Sequence, residues 1–101
     1  MSKEADFSFV EDTFGNFVAK GHVNFNNSEY MQRKLDERLR SSSGSIAIDM
    51  SQVTFFSSAG VKVVLSTHKK LKAKGSKLRI SSPSEVVRNV IGMAALGELL
   101  L

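Results

Sequence analysis

The chain has no cysteine among its 101 residues. That single absence excludes a disulfide framework, a thiolate zinc site and a cysteine nucleophile. No secretory leader is recognisable: Met1-Ser2-Lys3-Glu4-Ala5-Asp6 is polar and lacks an apolar core segment. No apolar run approaches the roughly 18 residues that a membrane span needs. These absences predict a soluble, cytoplasmic protein without membrane insertion. Gly-x-Ser-x-Gly is missing, so there is no nucleophile elbow. Gly-x-x-x-x-Gly-Lys is missing too, so no P-loop holds a nucleotide. The two histidines, His22 and His68, are far apart and short of acidic company, which argues against a metal site. Asp49 reads as a turn cap rather than a catalytic carboxylate. No acid/base pair or activated nucleophile assembles, so neither an enzyme nor a cofactor is expected.

What is present suits one domain over residues 1–101. Apolar residues make up 42% and charged residues 24%, a composition that supports a single modest core. The net charge of +4 is unevenly placed. Residues 1–50 carry six Lys/Arg against eight Asp/Glu, whereas residues 51–101 carry eight against two. Much of the excess lies between His68 and Lys77. Lysines there suit the solvated side and negative end of a helix. No aromatic residue interleaves with them, so no nucleic-acid partner is expected.

Hydrophobic periodicity gives the elements. Phe7, Phe9 and Glu11 alternate with Ser8 and Val10. A turn near Asp12–Gly15 leads to a second run, Asn16–Val23, and the two predict a hairpin. Asn26 reads as an N-cap with Glu29 closing a capping box. Met31, Leu35 and Leu39 then share one helical face. After the Ser41–Ser45 loop, Ser45–Met50 reads as a short buried strand, and Ser51–Ser57 as its connection to a second helix. That helix places Val61, Val64, Leu65, His68 and Leu71 on one face, with Gly75 as its stop. Lys77–Ser81 reads as a strand. Ser82-Pro83-Ser84-Glu85 reads as a helix start with Ser82 as cap and Pro83 in the first helical position. Val86, Val87, Val90 and Ile91 supply its apolar face, and Ala94–Leu101 a last short helix. The order predicts an α/β domain with a small mixed sheet of about four strands: an antiparallel N-terminal hairpin, the remainder parallel.

The segment Ser57-Ser58-Ala59-Gly60 opens a helix after a strand and turn. The first turn of a helix leaves N–H groups unpaired and favours negative charge, phosphate included. A serine there can cap the helix or be phosphorylated without disturbing the fold. The small residues Ala59 and Gly60 let another surface approach closely. Spacing alone leaves both roles open, for Ser57 and for Ser58.

Residues 46–65, from the Ile46 strand through Asp49-Met50-Ser51-Gln52-Val53 and Ser57-Ser58-Ala59-Gly60 into an aliphatic helix, resemble the central motif of the STAS family of anti-sigma factor antagonists. The Lys72–Leu78 turn, Ser82-Pro83, the terminal helices and the Gly21–Asn24 turn are similar as well. The resemblance implies a non-enzymatic bacterial signal-transduction protein that regulates transcription by partner switching. Such a protein binds an anti-sigma factor that is also a serine protein kinase. It is released on phosphorylation and reset by a PP2C-type phosphatase. By resemblance the phosphorylated residue is Ser58, with Ser57 as second choice. The implied partner surface is Asn24, Asn27, Thr54, Ser57, Ser58, Ala59, Gly60 and Lys62. Two positions depart from the family pattern: Ser57 and Asn24 stand where it has acidic residues. The alternatives are a STAS subunit of a lipid ABC transporter, or a scaffold domain in a signalling complex, with or without nucleotide binding.

Overall fold

The computed structural model describes residues 7–42 and 44–100. The expectations for Met1–Asp6, Ser43 and Leu101 lie outside the described residues. The chain opens with the predicted hairpin, β1 (Ser8–Glu11) and β2 (Phe17–Val23), paired antiparallel. Its turn is built by Asp12, whose Oδ1 accepts from the N–H groups of Phe14 (2.8 Å) and Asn16 (3.0 Å). Gly15 takes φ +81° there, a conformation that glycine adopts without strain. Alternation holds in β1: Phe9 is buried and stacks on Phe17 at 4.6 Å, while Val10 faces solvent.

Helix α1 (Phe25–Ser41) starts two residues earlier than expected. Asn24, not Asn26, is the N-cap. Its Oδ1 accepts from the Asn27 N–H while the Asn27 Oδ1 accepts from the Asn24 N–H, each at 2.9 Å. Asn27 Nδ2 also donates to the His22 carbonyl at 2.7 Å, so the asparagine pair satisfies three backbone groups. Asn26 and Glu29 are therefore inside the helix. Met31 and Leu35 are fully buried, and Leu39 packs against the core edge.

Strand β3 runs from Ile46 to Phe56, well beyond the predicted Met50. Ser51–Ser57 is not a free connection: Gln52, Val53, Phe55 and Phe56 pair parallel with Lys20, Gly21, His22 and Val23. Two register shifts in that ladder break strict alternation, which hides the strand in the sequence. Asp49 lies within β3, where its Oδ1 accepts from the Ser51 N–H at 2.9 Å.

Helix α2 (Ser58–Lys72) follows at once. Its buried face is Gly60, Val63, Val64, Thr67, His68 and Leu71, so the predicted Val61 and Leu65 sit at its margins. It ends as predicted at Gly75, φ +80°, where the Gly75 N–H donates to the Lys72 carbonyl and the Ser76 N–H to the Leu71 carbonyl. Strand β4 (Leu78–Pro83) pairs parallel with β3. Pro83 closes this edge strand, where its missing N–H costs no ladder bond. The cap of α3 (Glu85–Met93) is Ser84 rather than Ser82, its Oγ accepting from the Val87 N–H at 3.2 Å. Val87 and Ile91 are buried, and Val86 is exposed. Of the expected last helix, a 3-10 turn forms at Gly97–Leu100 and buries Leu99. Ala95, at φ +57°, interrupts the rest.

The sheet order is β1-β2-β3-β4, with β1–β2 antiparallel and the other pairs parallel. This is the small α/β domain that the pattern implied. One core cluster joins the sheet, where Phe17, Ala19, Ile46, Ile48, Met50, Leu78 and Ile80 are fully or almost fully buried, to α1, α2, α3 and the last turn. Parallel pairing places the β2–α1 and β3–α2 junctions side by side at one end of the sheet.

Candidate functional site

The two junctions are joined directly: the Ser57 N–H donates to the Val23 carbonyl at 2.9 Å. Ser57 then leaves the strand in an extended conformation (φ −77°, ψ 165°) and caps α2. Its Oγ accepts from the Gly60 N–H at 3.2 Å, and its carbonyl receives the Val61 N–H at 3.0 Å. The cap role thus belongs to Ser57, whose hydroxyl is half-buried and engaged. Ser58, the first helical residue, is exposed, and its hydroxyl has no partner among the described residues. The N–H groups of Ser58 and Ala59 have no acceptor within the helix.

Gly60 explains how the turn comes so close to the core. A Cβ built there would lie 2.6 Å from Val23 Cγ1 and 3.0 Å from the Phe56 ring. A larger residue would lift the helix start from the sheet.

Asn24, Asn27, Ser57, Ser58, Ala59 and Gly60 therefore come together at one end of the sheet. Lys62 lies one turn along α2 and is exposed. Thr54, on β3, connects to these residues through His22: its Oγ1 lies 3.2 Å from His22 Nδ1, and the His22 carbonyl accepts from Asn27; the His22 ring lies 5.6 Å from the exposed Phe55. No acidic residue occupies the first turn of α1 or of α2. The field at the site comes from the helix N-terminus and Lys62, both favourable to an anion.

Sequence reasoning missed the apolar neighbours. Ser58, Val61 and Lys62 line one open groove of about 420 Å³ with Val90, Met93 and Ala94 from the end of α3. Met93 is 88% exposed, so its side chain is offered to solvent beside Ser58. Amphipathic periodicity marked Val90, but nothing local in the sequence indicates that α3 folds back to Ser58.

The histidines stay separate. His68 is buried in α2; its Nδ1 accepts the Leu78 N–H at 3.1 Å, and its Nε2 lies 2.7 Å from Glu98 Oε2. An acceptor Nδ1 places the proton on Nε2, which donates to Glu98. That bond, with the Lys72 ammonium nearby, holds the Glu98 carboxyl below the usual carboxylate range. Among the described residues no three His, Cys, Asp or Glu side chains cluster in a way that could hold a metal ion. No helix among them is long and apolar enough to cross a membrane.

The family model of the STAS domain matches residues 10–100. The chain belongs to the STAS domain family. Solved structures bear the same architecture. This STAS domain superimposes on the unphosphorylated form of the anti-sigma factor antagonist SpoIIAA with a TM-score of 0.78 at 22% identity, covering 94% of this chain and 85% of that one. The phosphorylated form of Bacillus SpoIIAA gives 0.73 at 21% identity, over 94% and 88%. An anti-sigma factor antagonist from Mycobacterium paratuberculosis gives 0.81 at 21% identity, over 99% and 87%. At these identities the likeness is one of fold. A search of curated proteins finds no match.

Proposed function

We propose that this STAS domain is an anti-sigma factor antagonist switched by phosphorylation of Ser58. The observation that carries the reading is the division of labour between two adjacent serines. Ser57 spends its hydroxyl on the helix cap, while Ser58 presents a free hydroxyl at the same helix mouth. Unphosphorylated, the surface from Asn24 and Asn27 across Ser57–Gly60 to Lys62 binds an anti-sigma factor that is also a serine kinase. A phosphate adds about −1.5 to −2 charges. Here it costs the fold little, because the helix N-terminus and Lys62 accept it. In the complex it would bury charge and bulk beside the apolar groove, which releases the partner. A PP2C-type phosphatase restores the binding form. Solved forms of SpoIIAA with and without phosphate share this architecture, which is consistent with a switch that does not refold the domain.

The test is incubation with ATP and the anti-sigma kinase of the same genome, followed by mass spectrometric mapping. A single phosphate on Ser58 is expected. Modification of Ser57 alone would move the site. Binding without any modification would favour the reading as a transporter or scaffold subunit.

A further inference from the structure

A second surface lies at the far end of α2. The last turn of α2 carries Lys69, Lys70 and Lys72, enough to complement its negative end. Lys74 and Lys77 follow in the turn to β4, and Arg40 projects from the end of α1 at the same pole. Two carboxylates answer them: Asp36 pairs with Lys70 at 3.2 Å, and Glu98 lies 3.8 Å from Lys72. Arg40, Lys69, Lys74 and Lys77 are exposed without an acidic partner among the described residues. The charge is organised around a shape. Asp36, Leu39 and Arg40 of α1 face Lys70 of α2 and Ala73 and Lys74 just past its end across an open groove of about 620 Å³. Arg40 and Lys74 supply unpaired positive charge to it, while Leu39 and Ala73 supply apolar surface. No aromatic side chain lines it, so nucleic-acid bases would find no stacking platform.

We propose that this α1–α2 groove is a second docking surface, and that its occupant is an acidic protein segment carrying an aliphatic side chain. Carboxylates of the segment pair with Arg40 and Lys74, and the aliphatic group rests on Leu39 and Ala73. Charge complementarity of this kind steers association and fixes orientation. The fifteen residues of α2, at about 1.5 Å rise each, set the groove about 20 Å from Ser58. Both surfaces can be occupied together, so the domain can bridge two proteins. The inference does not depend on the Ser58 switch.

A fluorescein-labelled peptide of Glu and Leu residues serves as probe, titrated at low salt in a fluorescence anisotropy assay. An oligothymidylate and phosphatidylglycerol vesicles are titrated alongside. Saturable peptide binding is expected, weakening as salt rises. Combined Arg40→Glu and Lys74→Glu should weaken it roughly tenfold or more. Leu39→Ser should weaken it severalfold, and Lys20→Glu, the same charge change on β2, should leave it unaltered. Circular dichroism checks that each variant is folded; Arg40 and Lys74 are exposed, so both substitutions are tolerable. Equal peptide affinity in the charge-reversed chain would overturn the proposal. So would tighter binding of the oligonucleotide or the vesicles, or no peptide binding at low salt.

Discussion

Arg38 is the residue on which the end of the domain away from Ser58 depends. It is a buried guanidinium, 6% exposed, with no carboxylate partner among the described residues. Its Nε donates to the Gly15 carbonyl at 2.9 Å, and its terminal nitrogens donate to the carbonyls of Ser42, Gly44 and Ser45 at 2.9–3.2 Å. One side chain thus ties the β1–β2 turn to the α1–β3 loop. Hydrogen bonds from a charged donor are stronger than neutral ones, and truncating a buried side chain also leaves a cavity. Arg38→Ala should therefore destabilise the fold by about 2–4 kcal/mol, measured by urea unfolding. Glu98 gives a second prediction at this scale. Its pKa is depressed in the folded chain by the His68 Nε2–H bond and by Lys72. A depressed carboxyl contributes stability above its unfolded pKa and loses it as pH falls through the folded pKa. The stability difference between the chain and Glu98→Gln should thus be complete above about pH 4.5 and fade on further acidification. Unfolding curves across that range check it; a difference growing on acidification would contradict the assignment.

The elements show what could be read from the sequence and what could not. Period-2 alternation in Phe7–Glu11, the Met31/Leu35/Leu39 spacing and the Gly75 stop are local signals, and each element formed where they placed it. Caps were displaced by two residues at both α1 and α3. Asn24 wins over Asn26 because the Asn27 amide completes its bonding, and Ser84 over Ser82 because Pro83 stays in the edge strand. The outer half of β3 was hidden because its partner is β2, distant in sequence, and the register shifts between them scramble the pattern. A helical wheel puts Arg38 on the same face as Met31 and Leu35; only the converging loops show which carbonyls its guanidinium meets. The site serines were legible as a pair, but their separate roles required the geometry of the α2 start. That division predicts unequal costs. Ser57→Ala should lose about 1 kcal/mol of stability, the usual value of an N-cap. Ser58→Ala should stay within about 0.5 kcal/mol, as for an exposed side chain without partners. Equal losses in thermal or urea unfolding would show that both hydroxyls are structural.

At the scale of the whole molecule, parallel strands bring the β2–α1 and β3–α2 junctions together, and the 2.9 Å bond from Ser57 to Val23 locks them. The proposed binding surface is therefore assembled by the fold itself. Lysines gather at the opposite end of α2, so the domain has one end suited to a phosphate switch and another suited to an acidic partner. In the proposed switch, phosphate on Ser58 acts by occlusion, with the fold as a constant platform. Ser58 is where that account stands or falls. The most direct measurement is isothermal titration of the anti-sigma kinase with the unmodified chain, Ser58→Ala and Ser58→Asp. The first two should bind alike, and Ser58→Asp should bind at least about 30-fold more weakly, about 2 kcal/mol. Ser58→Asp binding as tightly as the unmodified chain would contradict the account.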